Sequence, residues 1–286
     1  MYMQFENFKF WFLYESSENY TVIEKDTKSL VGFIDIDFNI PKFISASSEY
    51  NTSLSENEIL EEWINYTKRP EYIVGKKVEI DGASFEYSKS SYVKLMTGII
   101  MCRAYDNEKN PDEYSDYINK VINWIDSTDF YNSPASTIYH ESFPHGLLYH
   151  TLQVYNCIID LYQIPKFNGK IKVESASLCA LVHDWCKIGL YESYKKNVKN
   201  DNTGQWEHVD AYRRGSFPHA FGHGASSMYM AMKLFKLNEE EALAIRWHMG
   251  KWNVSENEVN ELQQANEHYP LVHLLQFADQ LSITEY

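Results

Sequence analysis

The sequence predicts a mainly α-helical protein, in which a C-terminal helical bundle follows an N-terminal α+β region. Apolar residues recur at helical spacing over most of residues 111–286. Short runs rich in aromatic and β-branched residues, typical of strands, are confined to residues 1–110. A polar stretch over residues 106–113 separates the two patterns. We therefore predict two domains, 1–110 and 111–286.

The N-terminal region carries three predicted strands and one clear helix start. The strands are Phe8–Tyr14, Val31–Phe38 and Lys77–Ile80. Ser55 and Glu58 have the spacing of a capping box, which predicts a helix through Tyr66. Residues 92–105 fit either a second helix or a buried strand. We expect a compact α+β unit here, and the sequence assigns no role to it.

The C-terminal region contains six predicted helices. They are Tyr114–Ser127, Gly146–Tyr162, Glu174–Ile188, Gly224–Phe235, Glu239–Met249 and Leu271–Ile283. Asn238 precedes three glutamates and is a predicted N-cap with an acidic first turn, which suits the positive end of a helix. A long polar segment, residues 192–220, lies between the third and fourth helices. A connection of that length inside a compact domain is usually functional or mobile.

Composition and charge restrict the ligands and the compartment. Forty acidic residues against 26 basic ones give a formal charge of −14, which repels nucleic-acid backbones and argues against tight duplex binding. A small phosphorylated ligand remains compatible with this charge. The four cysteines show no C-x-x-C spacing, and no signal peptide or membrane-length apolar run is visible. We expect a soluble cytoplasmic protein with reduced thiols and no membrane partner.

The strongest chemical signal is the doublet His183–Asp184, which lies within an apolar segment. Burying a carboxylate is costly unless it is compensated, and a metal ion is the usual compensator beside an imidazole. Four other segments carry further candidate metal ligands: His150, His223, His248 and Asp279. Such a set suits one or two divalent ions of Mn, Fe, Co, Ni, Zn or Mg. Adjacent helical residues point about 100° apart, so the doublet converges only on an ion close to the helix flank.

The order His … His-Asp … His … His … Asp, with Lys187 after the doublet, resembles the HD-domain superfamily of metal-dependent phosphohydrolases. Residues 146–151, Gly-Leu-Leu-Tyr-His-Thr, are similar to the first-ligand helix of YhaM-type 3′–5′ exoribonucleases. Residues 180–189 match the signature doublet of the superfamily. Residues 217–224 and 242–250 resemble small bacterial and phage HD hydrolases. The resemblance covers about residues 130–286.

The resemblance implies a role for each candidate residue. The implied ligands of a first metal are His150, His183, Asp184 and Asp279. Asp184 would also bridge to a second metal, held by His223 and His248. Lys187 would orient phosphate or the bridging carboxylate, and His140 would contact the substrate. The predicted catalytic residues are thus Asp184, Lys187 and His140. The predicted substrate contacts are Lys187, His140, His219, Arg213 and Arg214.

The function implied by the resemblance is hydrolysis of a phosphoester in a nucleotide, cyclic nucleotide or short oligonucleotide. A divalent pair lowers the pKa of water and neutralises charge on phosphoryl oxygens, which such a reaction needs. Two alternatives stay open. One is a di-iron oxygenase, because some six-ligand HD proteins resembling myo-inositol oxygenase activate oxygen. The other is a module that binds a nucleotide without turnover.

Overall fold

The computed structural model describes residues 10–16, 19–24, 30–37, 40–45, 55–67, 74–78, 80, 85–105, 111–200, 204–215 and 221–283. The chain divides into two compact units, Met1–Ile73 and Val74–Tyr286. Each unit is described by itself below.

The first unit is a four-stranded antiparallel meander followed by a helix. Its strands are β1 (Phe10–Ser16), β2 (Asn19–Glu24), β3 (Leu30–Asp37) and β4 (Ile40–Ser45), in the order β1-β2-β3-β4, and α1 covers Glu56–Thr67. Two predicted strands correspond to β1 and β3. β4 was not predicted because Pro41 lies within it; Pro is tolerated there because β4 is an edge strand of the sheet.

The predicted capping box of α1 is present. The Ser55 amide donates to Glu58 Oε2 at 2.6 Å, and the Glu58 amide donates to Ser55 Oγ at 3.4 Å. The prediction of a strand at Lys77–Ile80 is wrong for the described residues 77, 78 and 80. The Asn156 side chain binds both the amide and the carbonyl of Val78, at 2.7 and 2.6 Å, so these groups pair with a side chain rather than with a strand.

The second unit is built from helices. They are α2 (Phe85–Tyr105), α3 (Pro111–Asp126), α4 (Gly146–Tyr162), α5 (Val173–Val182), α6 (His223–Met232), α7 (Glu239–Trp247), α8 (Val259–His268) and α9 (Pro270–Ser282). With nine helices and two small sheets in the described part of the chain, the mainly α-helical class is confirmed. Of the two alternatives for residues 92–105, the helix is correct. We did not predict α8, in which Leu262 and Ala265 are the buried positions.

Helix α2 belongs to the second unit. The Tyr92 hydroxyl donates to the carbonyl of Leu181 at 3.1 Å and accepts from Trp185 Nε1 at 3.2 Å. Arg103 forms an ion pair with the fully buried Glu241, which also closes a capping box with Asn238. The contacts therefore divide the chain after Ile73, whereas the sequence suggested residue 110. The polar stretch near 110 falls between two helices of one unit.

One non-helical element interrupts the second unit. Residues 192–220 were expected to form a polar connection, but Tyr191–Lys199 (β5) and Trp206–Arg214 (β6) pair as an antiparallel two-stranded ribbon. Most of its side chains are exposed. Both faces of the ribbon carry polar residues, so the sequence lacks the alternation of a half-buried strand.

Two further properties of the chain follow from the described residues. Within those ranges, no helix combines the length and the apolar character needed to cross a lipid bilayer. None of the four cysteines, all of which lie in the described ranges, forms a disulfide; Cys179 and Cys186 are buried, and Cys102 and Cys157 are partly exposed.

Candidate metal centre

The six predicted metal ligands converge on the interior of the second unit. His150 lies on α4, Asp279 lies on α9, and His223 is the first residue of α6. The remaining ligands follow helix ends: His183 and Asp184 come directly after α5, and His248 directly after α7. His183 and His248 are fully buried, and Asp184 is 3 % exposed.

The doublet converges because α5 ends earlier than predicted. The sequence predicted one helix over Glu174–Ile188, but α5 ends at Val182 and Trp185–Lys187 form a 3-10 turn. His183 keeps helical angles, whereas Asp184 has φ −108° and ψ 19°. Because the backbone changes direction here, the two side chains do not diverge by the roughly 100° expected of adjacent residues in a helix. As a result, His183 Nε2 lies 3.4 Å from Asp184 Oδ2.

The ligands form two groups of three, which we call the first and second triads. The first triad is His150, His183 and Asp279; the second is Asp184, His223 and His248. In each, one ligand atom per residue lies within 4.8 Å of the others. In the first, His150 Nε2 is 3.3 Å from His183 Nε2 and 3.2 Å from Asp279 Oδ1.

Asp184 connects the two triads through its two carboxylate oxygens. Its Oδ2 lies 3.4 Å from Nε2 of both His150 and His183. Its Oδ1 lies 2.8 Å from Nε2 of His223 and 3.6 Å from Nε2 of His248. One carboxylate therefore presents a separate oxygen to each triad, which is the arrangement of a bridging ligand.

Backbone carbonyls orient two of the imidazoles. His183 Nδ1 donates to the carbonyl of Ala180, and His248 Nδ1 donates to that of Ile245, each at 2.7 Å. Both carbonyls belong to last helical turns, which have free acceptors. A proton held at Nδ1 leaves Nε2 of a neutral ring as an acceptor facing the triads.

The donor set fits a divalent cation. His248 Nε2 is buried and has no hydrogen-bond partner among the described residues. A buried polar atom without a partner is costly, and a metal ion bound at this nitrogen would remove that cost. Four imidazoles and two carboxylates match the preference of borderline divalent metals.

Two glycines permit the close contacts that bring the site together. A Cβ on Gly224 would lie 2.1 Å from the carbonyl oxygen of Arg246, so only glycine lets α6 start against the end of α7. This contact places the His223 and His248 rings 5.1 Å apart. A Cβ on Gly146 would lie 2.0 Å from the carbonyl oxygen of Glu141, so glycine also fixes the preceding loop against α4.

Lys187 lies inside the site rather than at a solvated helix end. It is 6 % exposed, and its Nζ lies 2.5 Å from Asp184 Oδ2. Burial alone would raise the pKa of Asp184, but the charges of Lys187 and His183 outweigh burial and hold that pKa well below its usual range. Burial would likewise lower the pKa of His150, yet the Asp184 and Asp279 carboxylates raise it to about 9.

The loop before α4 adds a further group beside the first triad. The His140 ring lies 4.9 Å from that of His150, and its Nε2 is buried without a hydrogen-bond partner in the described residues. Burial is the main cause that lowers the pKa of His140 to about 4, so the ring is neutral at neutral pH. Glu141 was not predicted. Its Oε2 lies 4.0 Å from His150 Nδ1, and Ser282 Oγ lies 3.4 Å from the same nitrogen.

Of the remaining predicted substrate contacts, Arg213 and Arg214 lie on the ribbon strand β6. Arg213 forms an exposed ion pair with Glu192 at 3.1 Å. Arg214 is opposite Tyr191 at the base of the ribbon. His219 lies outside the described residues. A cavity of about 410 Å³ adjoins the second triad; its lining includes His223, Phe221, Arg246 and Trp252.

Comparison with protein families supports the same interpretation. The family model of the HD domain matches residues 147–284, a range that contains all six candidate ligands. No curated protein and no solved structure matches the chain significantly. The HD domain assignment agrees with the helical fold and with His/Asp clusters able to hold a metal. Residues 147–284 therefore belong to the HD-domain superfamily, whose members are typically metal-dependent hydrolases.

Proposed function

We propose that this protein is a metal-dependent phosphohydrolase that cleaves a phosphoester of a nucleotide, a cyclic nucleotide or a short oligonucleotide. The proposal rests on the Asp184 carboxylate, whose Oδ2 faces the first triad while its Oδ1 faces the second. Two divalent cations joined by a carboxylate are the usual arrangement for phosphoester hydrolysis. The HD domain is also typical of such enzymes.

The candidate ligands, Lys187 and His140 would have different roles in the reaction. The six candidate ligands would hold the divalent cations, with Asp184 shared between the two triads. When bound, such cations would supply a water-derived nucleophile near neutral pH and stabilise negative charge on phosphoryl oxygens. Lys187, paired with Asp184 Oδ2, orients that carboxylate and contributes positive charge beside the phosphoryl group. His140 is neutral and buried, so its Nε2 can exchange a proton or a hydrogen bond with the substrate.

The size and charge of the surroundings support a small substrate. The cavity beside His223 is about 410 Å³, within the range of small-molecule sites. Phe221 and Trp252 on its lining are 61 % and 84 % exposed, and they offer ring faces to a base. The formal charge of −14 disfavours long duplexes. We retain Arg214, Arg213 and His219 as proposed phosphate contacts, although Arg213 would first have to leave its ion pair with Glu192.

The test combines metal analysis with a substrate panel. Protein purified under anaerobic conditions is assayed for bound metal, then for release of phosphate or nucleoside from nucleotides, cyclic nucleotides and short oligonucleotides. Asp184→Asn keeps the shape of the side chain but removes its charge. Mutation of a residue that hydrogen-bonds a metal ligand typically lowers activity about 10- to 100-fold. Loss of the bridging ligand itself should therefore lower activity at least about 100-fold.

The same experiment separates the alternatives. Iron-dependent consumption of oxygen, without phosphoester cleavage, would identify an oxygenase instead. A metal-loaded protein that binds nucleotides and cleaves none of the panel would be a binding module. Full activity in Asp184→Asn would refute the proposed centre.

A further inference from the structure

The ribbon formed by β5 and β6 is the largest feature of the second unit that the proposed chemistry leaves unexplained. An isolated two-stranded hairpin is marginally stable in water. Even so, this ribbon extends over nine paired positions, and almost all of its side chains are exposed. Trp206, one of the largest apolar side chains, is 71 % exposed. A single exposed ring is common on protein surfaces, so the residues that share its face decide whether it belongs to a binding surface.

Strand alternation separates the ribbon into two faces with different chemistry. The pairing register shows which residues share a face with Tyr191, and we call this face the aromatic face. It consists of Tyr191, Ser193, Lys195, Asn197 and Lys199 on β5, and Trp206, His208, Asp210, Tyr212 and Arg214 on β6. The opposite face consists of Glu192, Tyr194, Lys196 and Val198, with Glu207, Val209, Ala211 and Arg213.

The aromatic face combines rings with positive charge. Trp206, His208 and Tyr212 lie on the same face of β6, where Asp210 separates His208 from Tyr212. The positions of Trp206 and His208 are about 6.8 Å apart along the strand. Three cations, Lys195, Lys199 and Arg214, stand against one acid, Asp210. The opposite face balances two cations with two acids. A surplus of positive charge is notable in a chain of formal charge −14.

This face begins beside the metal centre. Tyr191 follows Lys187 by four residues, and its hydroxyl donates to the carbonyl of Ala135 at 3.4 Å, in the loop that also carries His140. At the base of β6, the Gly215 amide donates to the carbonyl of Leu190 at 2.9 Å. The aromatic face is thus anchored next to the catalytic groups and extends away from them.

We infer that the aromatic face binds a single-stranded oligonucleotide whose terminal phosphodiester reaches the metal centre. Aromatic side chains along a positively charged track are the physical basis of single-strand binding, because bases stack on rings while cations follow the backbone. A duplex keeps its bases stacked on each other and could use only the charges. The inference rests on the proposed function, since it names the substrate class of that site.

Direct binding tests the inference independently of turnover. The metal-loaded full-length protein is titrated into a fluorescent single-stranded RNA of eight nucleotides with phosphorothioate linkages, which resist hydrolysis, and anisotropy is recorded. The double variant Trp206→Ala/His208→Ala should raise Kd at least about tenfold, since each lost stack is worth about fivefold or more and the two losses multiply. Lys199→Glu should also weaken binding, whereas Lys196→Glu, on the opposite face, should change Kd by less than about twofold.

Three outcomes would overturn the inference. Equal affinity for a duplex of the same length would show that charge alone binds. Equal weakening by Lys196→Glu and Lys199→Glu would remove the distinction between faces. A dimer in wild-type protein that Trp206→Ala/His208→Ala converts to a monomer, with RNA binding unchanged, would assign the face to a second copy of the chain.

A small ester separates this failure from failure of the proposed function. Wild-type protein that hydrolyses bis(para-nitrophenyl) phosphate but does not bind RNA would refute the ribbon surface and leave the phosphohydrolase intact. RNA binding that depends on the aromatic face, without hydrolysis of either the ester or unmodified RNA, would refute the phosphohydrolase and leave the binding surface intact.

Discussion

The first and second triads use the same ligand types, but the fold supports them differently. His150 and Asp279 lie on α4 and α9, His183 directly follows α5, and these three helices pack on one another. The second triad depends on the close approach of α6 to α7 at Gly224, and the His223 side chain, 18 % exposed, borders the cavity. The first triad is thus positioned by helix packing, whereas the second is positioned by one glycine contact and adjoins the cavity.

The largest expected effects distinguish the triads directly. His183→Ala should abolish binding of the metal in the first triad and lower activity by more than about 100-fold, because it removes a ligand rather than a partner of a ligand. His223→Ala should lose the second metal but keep about one equivalent. Metal content by mass spectrometry and turnover of the same samples provide the measurement. Retention of the same metal content in both variants would mean that the triads are not separate sites.

Lys187 provides the next test, since it neutralises the carboxylate that joins the triads. In protein treated with a chelator, Lys187→Met should lower the free energy of unfolding by up to about 3–5 kcal/mol, because it removes the nearest cation from the buried Asp184 and leaves only the neighbouring imidazoles to offset its charge. Added divalent metal should recover part of this loss by restoring positive charge at Asp184. Urea denaturation followed by tryptophan fluorescence, with and without metal, measures both quantities.

The exposed pair Lys195–Asp210 is the matched control for Lys187. Its side chains are 62 % and 71 % exposed, so Lys195→Met should cost less than about 1 kcal/mol. It should also show no recovery with metal. A loss in Lys187→Met as small as in this control would show that the buried pair contributes little.

The smallest effect is expected at Glu141, which lies 4.0 Å from His150 Nδ1. Glu141→Gln should reduce the affinity of the first triad for metal by up to about tenfold, since it removes a negative charge close to the His150 imidazole. Competition with a chelating dye measures that affinity. The second triad should keep its affinity for metal. A loss of affinity in the second triad alone would contradict the assignment of Glu141 to the first triad.

The sequence located the candidate ligands better than the backbone that orients them. The order of His and Asp residues and the doublet identified six side chains that the fold brings together, and α4 has the predicted bounds. The end of α5 could not be predicted, because neither Gly nor Pro follows Val182 and the apolar pattern continues to Ile188. Glu141 was missed because its position depends on a loop with φ of 39° there, which no spacing rule describes.

The ribbon was missed for a different reason. Strand prediction relies on one apolar face, and β5 and β6 bury neither face. Its cross-strand pairs, such as Lys199 opposite Trp206, become visible only when the register is known.

The bonds from His183 and His248 to the carbonyls of Ala180 and Ile245 have a consequence for how this centre tolerates change. In a continuing helix each of those carbonyls would accept from the amide four residues later. Here the imidazole Nδ1 donates to that carbonyl instead. The main chain therefore holds the proton on Nδ1 and leaves Nε2 of each ring able to bind a cation. No substitution of a neighbouring side chain can delete that acceptor, and only a shift in where the helix stops would alter it.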